Sequence, residues 1–155
     1  MKEKTCCFTG HRVIPIDQQS IIKEKLEKTL IKCIEEGYHY FGAGGALGFD
    51  TLAAQAVLNL KEQYPMIKLI LVLPCLAQTR GWIESYKKEY ERIKSLADKV
   101  VYTSQEYTRG CMFKRNRHLV DCSSLCIAYL SKEKGGTAYT VNYAKENGIE
   151  VINLA

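Results

Sequence analysis

Short apolar segments and longer amphipathic segments alternate six times along this chain, which restricts its fold more than any other feature. The apolar segments are continuous runs, and this is typical of strands that are buried on both faces of a parallel sheet. They predict strands at Thr5–Thr9, Tyr38–Ala43, Met66–Leu73, Val100–Tyr102, Leu125–Tyr129 and Glu150–Asn153. We therefore expect a single doubly wound Rossmann-like α/β domain over residues 1–155, with a mostly parallel sheet of about six strands and helices on both faces.

The segments between these strands have apolar residues at helical spacing. The first helix is expected from Asp17, which can cap it, to Glu36, with Gly37 as the stop. The remaining helices are expected at Thr51–Gln63, Trp82–Ala97, Met112–Asp121 and from the turn Gly135-Gly136-Thr137 to Asn147.

Composition excludes several classes of protein. Apolar residues make up 46% of the chain and charged residues 25%, as in an ordinary globular protein. The N-terminus lacks the central segment of a secretory signal, and the longest apolar run, Leu69–Leu73, is far too short to span a membrane. We expect a cytoplasmic protein with no membrane partner. The seven cysteines are then reduced, and because none has the paired spacing of a zinc site we expect no metal.

The positive charge of the chain is concentrated in one connection. The formal net charge is only +5, too small to indicate nucleic-acid binding by itself. However, the segment Thr103–Arg117 carries three arginines and one lysine against a single acid, Glu106. This connection is therefore where an anionic ligand would be attracted.

The segment Gly42–Asp50 is dense in glycine and lies between a predicted strand and a predicted helix. It matches neither GxGxxG nor the P-loop pattern, so an ordinary nicotinamide-binding domain and a P-loop enzyme are both disfavoured. Gly44, Gly45 and Gly48 could bring the backbone close to a phosphate, or could simply allow a tight turn and close packing. Asp50 is interpreted first as a helix cap, and second as a partner for a ribose hydroxyl.

Three further motifs follow predicted strands or precede them closely. Because ligands bind at the carboxyl ends of parallel strands, these motifs should share one edge of the sheet. They are Gly10-His11-Arg12, Arg115-Asn116 and Gly135-Gly136-Thr137. Guanidinium groups and helix N-termini suit an anion, although solvated loops and a solvated basic helix face explain the same residues.

Taken together, these motifs resemble the SLOG superfamily, the Rossmann-like fold that covers DNA-processing protein A and the Lonely Guy phosphoribohydrolases. The resemblance spans the chain and is greatest to the YpsA-like bacterial branch. It implies a nucleotide or an NAD-derived, ADP-ribose-like ligand held by the glycine turns and nearby cations, with no other cofactor. It also implies a homo-oligomer.

The resemblance leaves the chemistry open between three hypotheses. A nucleotide-binding or nucleotide-sensing protein is preferred. A nucleoside-monophosphate phosphoribohydrolase, with Arg115 as the catalytic residue, is the alternative. Against hydrolysis, Tyr139-Thr140-Val141 stands where those enzymes carry an acidic residue, and only Asp50 or Glu106 could replace it. A single-stranded DNA-binding module, with Tyr102 and Tyr107 as stacking residues, is the least favoured hypothesis.

Overall fold

The computed structural model describes residues 1–155, and its centre is one sheet of six strands. The elements in chain order are β1 (Thr5–Gly10), α1 (Gln19–Glu35), β2 (Tyr40–Ala43), α2 (Phe49–Leu60), β3 (Lys68–Leu73), α3 (Glu84–Leu96), β4 (Lys99–Tyr102), α4 (Cys111–Asp121), β5 (Leu125–Tyr129), α5 (Gly136–Glu146) and β6 (Glu150–Asn153). All neighbouring strands are parallel, so the predicted doubly wound α/β fold is confirmed. No helix combines the length and the apolar character that crossing a membrane requires.

The order of the strands in the sheet is β4-β3-β2-β1-β5-β6. The chain first moves outward from β1 through β2 and β3 to β4. Helix α4 then carries it back past the starting strand, so that β5 and β6 are added on the opposite side of β1. At the carboxyl ends of these two central strands, Gly10 pairs with Tyr129. Open α/β sheets bind ligands in the crevice beside such a reversal, and the fold therefore directs attention to the end of β1.

The two faces of the sheet are covered unequally. Helices α1, α2 and α3 pack on one face over a cluster of 24 buried residues, which includes Phe8, Phe41 and Ile127. Helices α4 and α5 pack together on the other face, over a cluster of only seven buried residues. Six of the seven cysteines are buried in the protein and act as small apolar side chains, whereas Cys122 is exposed.

Two predicted helix caps are wrong. Helix α1 begins at Gln19, and Asp17 is exposed and makes no capping hydrogen bond. A backbone turn precedes this helix instead, because the Gln18 amide donates to the Pro15 carbonyl. Helix α2 begins at Phe49 after Gly48, so Asp50 lies inside its first turn rather than at its cap. The other boundaries shift slightly; β2 and β3 both begin two residues later than expected, at Tyr40 and Lys68.

Candidate functional site

A polar cleft of about 350 Å³ lies at the point where the strand order reverses. It is lined by Thr9, Gly10, His11, Arg12, Ala46, Asp50, Met112, Phe113, Arg115, Asn116, Gly136 and Thr137. These residues come from the end of β1 and the loop after it, from the segment after β2, from the first half of α4 and from the start of α5. The cleft thus brings together eight of the twelve residues that were predicted as a binding site. The other four, Gly44, Gly45, Gly48 and Gly135, lie beside it.

The segment after β1 forms one wall of the cleft. A Cβ atom on Gly10 would lie 2.4 Å from the Cβ of Phe49, so only glycine lets α2 approach β1 this closely. His11 Nε2 accepts a hydrogen bond of 2.9 Å from the Ser131 amide. Burial, together with the nearby Lys132 ammonium, lowers the pKa of His11, so its imidazole is neutral at neutral pH. The neutral ring ties the loop after β1 to the loop after β5.

Arg12 is the cation that is free to meet a ligand in this cleft. Its side chain is exposed at the rim, and it takes part in none of the four ion pairs of the protein. A guanidinium without a protein partner can bind a phosphate or carboxylate through two parallel hydrogen bonds. The position of Arg12 therefore suits an anionic group of a ligand.

The first turn of α5 forms another wall. Gly135 adopts a φ of 104° immediately before the helix begins, a conformation that favours glycine. Helix geometry leaves the amides of this first turn without intrahelical acceptors. Thr137 is 8% exposed, and its side chain faces the cleft. Free amides and the positive end of the helix dipole make this wall a second anion-binding element.

Arg115 is buried beneath the cleft and is held by the protein itself. Only 3% of its surface is exposed. Its Nη1 donates to the Gly44 carbonyl, and its Nε donates to Asn116 Oδ1 at 2.7 Å. Burial lowers the pKa of the guanidinium, and the neighbouring Asp50 carboxylate opposes that effect. Its Nη2 donates to Met112 Sδ at 3.9 Å. Arg115 thus fixes the turn after β2 to α4.

Asp50 is a buried carboxyl group in the floor of the cleft. It is 6% exposed, and its Oδ2 accepts a hydrogen bond of 3.2 Å from the Ala46 amide. It forms no ion pair with Arg115, although both side chains lie next to Gly44. Burial raises its pKa, while the charge of Arg115 and the Ala46 hydrogen bond act in the opposite direction. A carboxyl group with a raised pKa in a cleft is a recognised mark of a functional site.

The glycines of the turn after β2 allow close packing around the cleft. A Cβ on Gly44 would lie 2.7 Å from Arg115 Nη1, and one on Gly48 would lie 2.3 Å from the Arg12 carbonyl oxygen. Gly45 has a φ of 73° and packs against Leu73. The structure therefore places these three glycines behind the cleft, where they allow Arg115 and the loop after β1 to approach the turn.

A basic and aromatic depression of about 600 Å³ adjoins the cleft, and we call it the basic groove. Its charged and aromatic residues are Arg109, Phe113, Lys114, Arg117 and Tyr139. The rings of Phe113 and Tyr139 meet edge to face at 4.7 Å, and Arg117 Nη1 donates to the Tyr139 hydroxyl at 3.1 Å. Both rings are about two-fifths exposed, at 40% and 39%.

Sequence reasoning missed these aromatic residues. Tyr102 and Tyr107, which the DNA-binding hypothesis had selected, line neither the cleft nor the basic groove. Tyr102 instead lies under the Lys94 ammonium, 5.4 Å from it. A signal was present in α5, where Tyr139 and Tyr143 are four residues apart and stack on each other.

The fold and the cleft define a Rossmann-like α/β protein with a polar, anion-attracting cleft where its strand order reverses. Within that class, the chain belongs to the YspA SLOG family, whose model matches residues 6–151. It is 34% identical over 130 residues to UPF0398 proteins of Bacillus thuringiensis (strain Al Hakam) and Bacillus cereus (strain AH187). The match covers 82% of this chain and 71% of each relative.

Two solved structures share the fold. DNA processing protein A from Streptococcus pneumoniae superposes with a TM-score of 0.70 at 18% identity, over 98% of this chain. DNA processing protein A from Helicobacter pylori, which has a single-stranded DNA binding mode, superposes with a TM-score of 0.69 at 17% identity, also over 98% of this chain. This chain spans 50% of the first protein and 65% of the second. The family model and the UPF0398 relatives confirm the family resemblance predicted from the sequence, and the two solved structures show the shared fold.

Proposed function

We propose that the cleft binds a small anionic nucleotide, or a nucleotide-derived ligand such as ADP-ribose or another NAD-derived molecule. One observation carries the proposal: Arg12 and the first turn of α5 face the same cleft as the Asp50 carboxyl group. Amides and a guanidinium favour phosphate, whereas a carboxylate repels phosphate and accepts hydrogen bonds from hydroxyl groups. A nucleotide carries both a phosphate and a ribose diol, so it can satisfy the anion-binding groups and the carboxyl group at once.

Other residues of the cleft complete this assignment. The Thr137 hydroxyl can add a hydrogen bond to the phosphate at the start of α5. Met112 and Phe113 give the cleft an apolar side on which a base can lie. Arg115 acts from below as a positioning residue, because its bond to the Gly44 carbonyl holds in place the turn whose Ala46 amide donates to Asp50.

Calorimetric titration with AMP, ADP-ribose and NAD tests this function. Replacing Arg12 with alanine removes a charge-assisted contact of about 1.5–3 kcal/mol, which corresponds to a roughly 10- to 150-fold loss of affinity. Arg80→Ala is the matched control, since Arg80 is an exposed arginine on the same sheet edge but outside the cleft. The proposal fails if none of the three compounds binds, or if the Arg80 variant loses as much affinity as the Arg12 variant.

Asp50→Asn separates the contribution of the carboxyl group in the floor from that of the anion-binding walls. The change should weaken the binding of AMP, because the carboxylate that accepts from the ribose hydroxyl groups is gone. The affinity for inorganic pyrophosphate should stay the same or increase, because the neutral amide does not repel phosphate. Loss of pyrophosphate binding in this variant would contradict the assignment of the phosphate to Arg12 and the first turn of α5.

Hydrolysis of the bond between base and ribose is the alternative chemistry for the same cleft. Of the two acids that could replace the missing one, Asp50 lies in the cleft and Glu106 is exposed outside it. A buried carboxyl group can stabilise the positive charge that develops on the ribose. Release of free base from AMP, measured by chromatography and abolished in Asp50→Asn, would favour the hydrolase over the binding protein.

Single-stranded DNA binding is a second candidate, supported by the basic groove. Exposed aromatic rings beside arginines and a lysine can stack bases while the cations contact phosphates. The modest net charge of +5 argues against it. Anisotropy with a labelled oligothymidine tests this candidate: Tyr139→Ala should cost about 1–3 kcal/mol, and affinity should fall steeply with salt. Binding that salt leaves unchanged would contradict it.

A further inference from the structure

The face of the sheet that carries α4 and α5 is incompletely covered. Six strands at about 4.8 Å spacing make a sheet roughly 25–30 Å wide, while a helix with its side chains is about 10 Å across. Three helices therefore cover the first face, but α4 and α5 leave room for about one more helix on the second. The gap lies beyond α4, over β2, β3 and β4.

This gap is a trough of about 460 Å³, within the usual size range of small-molecule sites. Its floor consists of the half-buried side chains of Tyr40, Ile70 and Val101, one from each of the three strands. Leu119 of α4 forms the side wall. Gly42 brings α4 down onto the sheet here, since a Cβ at this position would lie 3.0 Å from Leu119. The trough is thus a concave and mainly apolar surface.

Cationic groups stand at one end of the trough. Lys2 and Lys99 line it, are exposed, and take part in none of the four ion pairs. Both lie close to Cys122, where their charges partly offset the rise in the thiol pKa that burial and Asp121 cause. His118 Nε2 lies 3.8 Å from the Cys122 sulfur at the same end. The polar end of the trough therefore attracts an anion.

We propose that this trough is a second binding site, separate from the cleft, for apolar carboxylic acids such as medium-chain fatty acids. The alkyl chain lies on Ile70 and Val101, and the carboxylate lies between Lys2 and Lys99. A neutral apolar compound leaves both ammonium groups without a partner, whereas a small polar anion leaves the apolar floor uncovered. An acid with an apolar tail matches both features.

The thiol of Cys122 offers a direct reporter, because the other six cysteines are buried. The test measures alkylation of Cys122 by iodoacetamide at pH 8.5, by mass spectrometry, over a titration with decanoate. Decanoate should protect the thiol, and AMP should not. Shortening the acid to octanoate should weaken protection about fifteenfold, since each buried methylene contributes about fourfold in affinity. Decanol should protect less well than decanoate.

Substitutions locate the effect. Val101→Glu should abolish protection, while Val13→Glu, at a side chain 80% exposed on the loop after β1, should leave it unchanged. The double variant Lys2→Ala/Lys99→Ala alters only exposed side chains and so does not depend on refolding of the sheet. The affinity for decanoate should fall by up to about fivefold for each lysine removed.

Several outcomes would overturn the proposal. Absence of protection by decanoate, equal affinity for decanol, or protection that persists in Val101→Glu would each exclude a fatty-acid site here. A concentration-dependent dimer in which Cys122 is already shielded without decanoate would assign the trough to a second copy of the chain. Since AMP binding is measured independently, failure here does not affect the nucleotide proposal.

Discussion

Gly44→Ala should destabilise the protein strongly although it adds only one methyl group. The new Cβ would lie 2.7 Å from Arg115 Nη1, 2.8 Å from its Cζ and 2.9 Å from Asp50 Oδ2. Such steric overlap lowers the free energy of unfolding by about 1–3 kcal/mol when the neighbouring atoms are buried and cannot move away. Displacing the guanidinium also weakens its bond to the Gly44 carbonyl, a charged hydrogen bond that contributes about 1.5–3 kcal/mol.

The expected loss is therefore roughly 2.5–6 kcal/mol, a large part of the total stability of a typical domain. For a domain of this size it should lower the Tm by about 10 °C. Urea denaturation followed by circular dichroism measures the change, with an m-value equal to that of the wild type as the check on two-state unfolding. Gly136→Ala is the control, because nothing lies within 4 Å of a Cβ atom at this position. The free energy of unfolding of this variant should differ from that of the wild type by less than about 1 kcal/mol.

A double-mutant cycle identifies the cause. In an Arg115→Ala background the guanidinium is gone, so Gly44→Ala should cost at least about 1 kcal/mol less than in the wild type. The reasoning that Arg115 packs against this turn would be refuted if Gly44→Ala lowered the free energy of unfolding equally in both backgrounds. It would also be refuted if the Gly44→Ala variant were within about 1 kcal/mol of the wild type in stability.

The remaining predictions concern charge and hydrogen bonding around the cleft. His11 has a folded pKa below its ordinary value of 6.5, so the unfolded chain binds more protons and stability should fall as the pH drops below about 6.5. This dependence should be reduced in His11→Gln, and identical pH profiles of thermal unfolding would contradict it. Arg115→Lys keeps the charge but loses the bonds to Gly44 and Asn116, and should cost about 2–4 kcal/mol in urea denaturation. Gly10→Ala should cost at least about 2 kcal/mol by the same measurement, because its Cβ would overlap the Phe49 side chain. A near-native midpoint in either variant would show that the site relaxes freely.

Part of the candidate site was predictable from its local sequence. Gly10-His11-Arg12 and Gly136-Thr137 each follow a strand, and parallel strands end at one edge, so their meeting follows from the fold class. The role of Gly44 was not predictable, because its partner Arg115 is 71 residues away along the chain. The Asp17 cap failed for a related reason. The chain enters α1 through a backbone turn from Pro15 to Gln18, which the local sequence around Asp17 does not reveal.

The sequence by itself determined which segments are strands and helices and that the sheet is parallel. A continuous apolar run reports the burial of that segment, and burial on both faces is a local property of the strand. Only the tertiary structure decided the strand order, the cleft beside β1 and the uncovered trough beyond α4. These depend on the side of β1 to which α4 returns the chain, and that crossing is set by packing between elements distant in sequence.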